Sequence, residues 1–100
     1  MLVEDQYYTA HELSEHFPLD VAYPDATWRE QLRRWRDLRL VKPGVDYKRL
    51  RQPKGQHPFV YRCGAIVYVL YTYPLPFCEN VRIAHWDILE AMFQSLKSLP

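Results

Sequence analysis

Residues 27–44, "TWREQLRRWRDLRLVKPG", constrain the fold more than any other stretch of the chain. Trp28, Leu32 and Trp35 recur at i, i+4 and i+7, one stripe of an α-helix, with Leu38 at its border. Arg29, Arg33, Arg34 and Arg36 take the flanks and the far side. Such a helix anchors its tryptophans in a core and holds its guanidiniums in water, so it lies on the surface of a packed domain. Thr27 and Glu30 match the S/T-x-x-E capping box, which predicts the helix start, and Asp25 adds negative charge near that end. Pro43 and Gly44 close the segment.

The formal charge of +1 on 100 residues hides a strong segregation. Residues 1–27 carry Glu4, Asp5, Glu12, Glu15, Asp20 and Asp25 and no Lys or Arg. Residues 28–62 carry eleven Lys and Arg against Glu30, Asp37 and Asp46, a net of +8. Positive charge concentrated in one third of a chain is the footprint of a surface that meets polyphosphate. No apolar run approaches 20 residues, so no transmembrane helix is expected. The acidic start "MLVEDQYY" lacks the basic-then-apolar order of a signal peptide. Cys63 and Cys78 form no CxxC pair and are expected as buried thiols in a reduced, cytoplasmic setting.

Elsewhere the chain predicts a helix–connector–helix–hairpin order. Thr9 and Glu12 form a capping box, and Ala10, Leu13 and Phe17 follow at helical spacing up to Pro18. "VDYKRLR" and "FVYR" read as the arms of a hairpin, with Pro53 and Gly55 at its tip. Residues 64–73 have a strand-like composition, and a helix is expected there on the strength of the resemblance given below. Asn80 is a good N-cap for a single long C-terminal helix, a rod of roughly 30 Å at 1.5 Å per residue. Its stripe is Val81, Ala84, Ile88, Met92, Leu96 and Leu99, widened by Leu89 and Phe93.

"QLRRWRDLRLVKPG" resembles the recognition-helix segment of MerR-type regulators, with Leu32, Arg33, Trp35, Leu40 and Pro43 on matching positions. "YYTAHELSEHF" resembles the opening helix of the same family. "LRRWRD" and "FVYR" also resemble the Arg-Arg-Trp helix and wing strand of phage excisionases. The resemblance covers about residues 7–70. The element order and the resemblance together lead to an expected mainly α fold with a small β-hairpin, a winged helix-turn-helix domain over residues 1–76, and the wide apolar stripe of the last helix adds an expected C-terminal dimerisation helix over residues 77–100.

A recognition helix fits a major groove, and flanking phosphates take fixed cations. The expected function is therefore a sequence-specific DNA-binding transcriptional regulator, a repressor, acting as a homodimer in the cytoplasm at the nucleoid. Its expected DNA contacts are Thr27, Arg29, Arg33, Arg34 and Arg36 on the helix and Lys48, Arg49, Arg51 and Lys54 on the wing. The resemblance gives Arg33 the role of recognition-helix arginine. Dimer contacts are expected from Val81, Ala84, Ile88, Leu89, Met92, Phe93, Leu96 and Leu99. Partners are double-stranded DNA and a second copy, with no membrane and no small-molecule effector. Two alternatives stand beside this: an excisionase-like factor that bends DNA for a recombinase, and a small protein-interaction or inhibitor module. No acid/base pair, nucleophile motif or Gly-rich phosphate loop is present, so neither an enzyme nor a cofactor is expected. His11, His16, His57 and His85 with the two cysteines match no zinc spacing, so no metal site is expected.

Overall fold

The computed structural model describes residues 3–54 and 57–97. Strand β1 (Tyr7–Tyr8) leads into α1 (Ala10–His16) and α2 (Pro24–Asp37). Strands β2 (Tyr47–Lys54) and β3 (His57–Arg62) then form a hairpin, followed by α3 (Cys63–Thr72), α4 (Pro76–Ala84) and α5 (Trp86–Lys97). The described chain is thus mainly helical with a small antiparallel sheet of order β1-β3-β2. No described helix is long and apolar enough to cross a membrane.

Local chemistry sets several boundaries. The Thr9–Glu12 capping box forms: the Glu12 N–H donates to Thr9 Oγ1 at 3.2 Å and the Thr9 N–H donates to Glu12 Oε1 at 2.9 Å. The Thr27–Glu30 box does not form. Pro24, with φ already helical and no N–H to satisfy, starts α2 four residues earlier than a Thr27 cap would. The Thr27 N–H then donates to Tyr23 O at 2.9 Å, as an interior residue does, and the Glu30 carboxylate turns to Arg33.

Helix α2 ends in a Schellman arrangement. The Leu40 N–H donates to Trp35 O at 2.9 Å and the Arg39 N–H to Arg36 O at 3.1 Å. Arg39 takes φ 60, the left-handed turn that glycine adopts most readily. Leu40 packs against the core beside its hydrogen-bond partner Trp35.

Residues 63–72 are helical, as the resemblance implied. The element is apolar on nearly every side because it is covered on nearly every side; Tyr68 is its exposed large residue. Its first N–H groups are satisfied by the N-terminal segment: Cys63 donates to Gln6 O and Gly64 to Glu4 O. The site around Gly64 is tight. A Cβ at position 64 would lie 2.9 Å from Arg62 Nη1 and 3.3 Å from Leu96 Cδ2.

The expected single C-terminal rod is two helices. Pro76 starts α4, which places Asn80 inside it, not at its cap. The break falls at His85, whose Nε2–H donates to Pro18 O at 2.7 Å and whose ring meets Phe17 edge-on at 5.7 Å. Its anchor therefore lies just past the end of α1, 67 residues away in sequence.

Trp28, Leu32 and Trp35 are fully buried and share one core with Leu13, Phe17, Ile66 and Leu70. The C-terminal segment joins that same core through Phe77, Cys78, Val81 and Leu89. Phe77 is its keystone, 4.9 Å from the Trp28 ring at 90° and 6.1 Å from Trp35.

Candidate nucleic-acid interface

Successive residues of an α-helix lie 100° apart, so Arg29, Arg33 and Arg36 form a stripe directly beside Trp28, Leu32 and Trp35. Anchoring the tryptophans points the arginine stripe along the edge of the helix that faces the sheet. Together with Pro58, Phe59 and Tyr61 of β3 and the small residues Ala10 and Ala26, these arginines line an open cleft of about 410 Å³.

Strand alternation and pairing decide which hairpin residues join them. Arg49 pairs with Phe59 and Tyr47 with Tyr61, so all four share one face of the hairpin. Arg36, half-buried, lays its guanidinium 3.9 Å from the Phe59 ring centre and 6.0 Å from that of Tyr47. The Arg49 guanidinium lies 5.4 Å from the same Phe59 ring. Helix and hairpin are thus joined by cation–π contacts. Lys48 sits on the opposite face, its Nζ 4.5 Å from the centre of the Tyr7 ring. Arg51 is exposed on the part of β2 where the pairing register shifts. The side chain of Lys54 lies outside the described residues, as does Gly55 of the expected turn.

No family model, curated protein or solved structure matches this chain. The site therefore rests on its own geometry.

The charges are partly answered from within. Glu30 accepts from Arg33 twice, at 2.7 Å from Nη2 and 3.3 Å from Nε, and lies 3.7 Å from Arg34 Nε. Asp37 adds a 3.7 Å contact to Arg33. The hydrogen bond from Arg33 holds the Glu30 carboxyl below its usual range, and the same bond pushes the Arg33 guanidinium up. These pairs are exposed and individually weak. Arg62 pairs with Asp46 at 3.0 Å, while Asp46 also accepts from the Lys42 N–H, which pins the loop entering β2. Arg82 donates to the carbonyls of Leu70 and Tyr73 and closes the end of α3. Both are structural arginines.

Of the expected helix contacts, Arg29, Arg33 and Arg36 are brought together in the cleft, and Arg34 stands at its outer side through Glu30. Thr27 is half-buried one turn into α2. Sequence reasoning missed Phe59 and Tyr61. Their alternation with Val60 along "FVYR" was the available signal, since period two puts both aromatics on one face. Burial pushes the Tyr61 phenol up to about 12, against the pull of Arg36, so it is a neutral hydroxyl at physiological pH.

The stripe expected to meet a second copy is used differently. Val81 and Leu89 are fully buried in the chain's own core, and Met92, Phe93 and Leu96 pack against it. Ala84 and Ile88 are exposed; Leu99 lies outside the described residues. The break at His85 rotates the two half-stripes apart and leaves Ile83 (81% exposed), Trp86 (45%) and Ile88 (47%) on the α4–α5 corner. Trp86 rests there on Tyr71, their rings 5.5 Å apart.

Proposed function

We propose that this protein binds double-stranded DNA as a sequence-specific transcriptional regulator. In this proposal α1 and α2 act as a helix-turn-helix and β2–β3 as its wing. One observation carries it: three arginines of α2 line an open cleft against β3, and a fourth, Arg49, shares the Phe59 ring with Arg36. Fixed cations from two successive elements suit the phosphates flanking a groove that admits one helix. The likeness of residues 31–44 to a MerR-type recognition helix supports the same reading.

Two copies pairing through the α4–α5 corner would present two basic helices to half-sites about 34 Å apart. Support for pairing comes from the exposed Ile83, Trp86 and Ile88.

Duplexes selected from a random pool, bound over a salt series, test the proposal. Three to four phosphate contacts give a logarithmic slope of about −3 to −4. Arg49→Ala weakens binding more than Lys48→Ala, because Lys48 lies on the other face of the hairpin. Salt-indifferent binding, or none, overturns the proposal, and a stable protein complex in its place points to an interaction module. A single palindromic footprint fits a repressor; tandem sites with strong bending fit an excisionase-like factor.

A further inference from the structure

The cleft between α2 and β3 holds an anion of the protein's own. Three guanidiniums line it, from Arg29, Arg33 and Arg36, against the single carboxylate of Glu30. That carboxylate engages Arg33 through two hydrogen bonds on an exposed surface, where such pairs exchange readily with solvent and other anions. We propose that the cleft is a binding site for one phosphate group, and that Glu30 is the resident anion a phosphate oxygen displaces from Arg33. The source of that phosphate rests on the DNA-binding reading; the site itself does not.

The lining and its geometry point to phosphate as the ligand class. The lining carries three guanidiniums against one carboxylate, an excess of two that becomes three when Glu30 turns away, with the Asp37 carboxylate 3.7 Å from Arg33 just outside it. Guanidinium forks match phosphate oxygens in pairs. The Nε–H of Arg36 is buried and finds no acceptor among the described residues, so a donor is already in place beside the cleft. Tyr61 lines the same wall beside Phe59. A stacked base suits the cleft less well, because the Phe59 ring already carries the Arg36 guanidinium at 3.9 Å. Arg33 then serves as a phosphate ligand and not as a reader of base edges.

Inorganic pyrophosphate is the probe, titrated into the full chain while the arginine Nε–Hε signals are followed by NMR. The Arg33 and Arg36 signals are expected to shift saturably. Glu30→Gln, an exposed substitution whose fold is checked from the amide spectrum, is expected to bind about two- to fivefold tighter at low salt, the range set by one surface ion pair. Absence of saturable shifts, or a Glu30→Gln variant that binds no tighter than the parent, overturns the site. A short duplex added at saturation separates the sources. Release of pyrophosphate identifies the ligand as a nucleic-acid backbone phosphate. Pyrophosphate binding with no duplex binding keeps the site and overturns the DNA reading. Duplex binding while the cleft stays silent to pyrophosphate does the reverse.

Discussion

The guanidinium of Arg36 lies 3.9 Å above the centre of the Phe59 ring, and this contact ties α2 to the hairpin. Both side chains are half-buried, which strengthens a cation–π pair beyond its value in open water. A double-mutant cycle with Arg36→Ala and Phe59→Leu is expected to give a coupling of about 1 kcal/mol in unfolding stability. Arg36→Lys keeps the charge but loses the planar face, so it recovers only part of that coupling. Additive losses in the cycle would remove the contact as a stabilising link.

The core is shared between the two ends of the chain, and Phe77 shows it most directly. Its ring packs at 90° against Trp28 and is nearly closed off from solvent. Phe77→Ala is expected to destabilise by about 3–5 kcal/mol, a large part of the roughly 5–15 kcal/mol available to a small domain. Truncation after residue 76 deletes Phe77, Val81 and Leu89 from that core and is expected to abolish cooperative unfolding. Urea titration of both variants decides it. A sharp transition in the truncated chain would make residues 1–76 an independent unit.

What was legible in the sequence was local. The Thr9–Glu12 box closes within one turn, and the Trp28, Leu32 and Trp35 stripe depends on helical spacing alone, so both emerge as expected. Two start signals compete ahead of α2, and the fixed φ of Pro24 wins over the box at Thr27. The break at His85 has no proline or glycine to mark it; its anchor, Pro18 O, lies in the connector between α1 and α2. Lys48 and Arg49 divide by strand alternation alone, but which of the two faces α2 depends on how the hairpin docks, which one arm does not specify. Residues 64–73 have a strand-like composition although the resemblance implies a helix, and cover from the N-terminal segment and α5 accompanies the buried helix they form. The site was visible as charge. Its floor of Phe59 and Tyr61 needed the pairing of the strands.

Arg39 hides a glycine-like position. It takes φ 60 just past the end of α2, where the Schellman turn requires the left-handed region. An L-residue with a Cβ is disfavoured there by roughly 1 kcal/mol. Arg39→Gly is therefore expected to raise stability by up to about 1 kcal/mol, reduced by the greater freedom of glycine in the unfolded chain. Arg39→Ala removes the charge and keeps the Cβ, so no gain is expected from it. Equal stabilisation by both variants would trace the effect to charge and not to the backbone.

Cys63 and Cys78 are both free and buried, and burial pushes each thiol up to about 11 from an ordinary value near 9.0. Arg62 and Arg82 oppose those shifts without cancelling them. A folded-state pKa above the unfolded one means that the unfolded chain ionises first. Stability from these groups is intact below pH 9 and falls as pH rises toward 11. Each unit of that interval removes about 1.4 kcal/mol per thiol. Both thiols therefore weaken the fold across that interval, and Tyr61 extends the decline above pH 10. Denaturant titrations at half-unit steps from pH 8 to pH 11 measure the slope. Replacing both cysteines by alanine lowers stability at every pH through lost packing, but flattens the fall between pH 9 and pH 10, where Tyr61 does not yet ionise. An unchanged slope in that variant would show that the thiols do not carry the alkaline sensitivity.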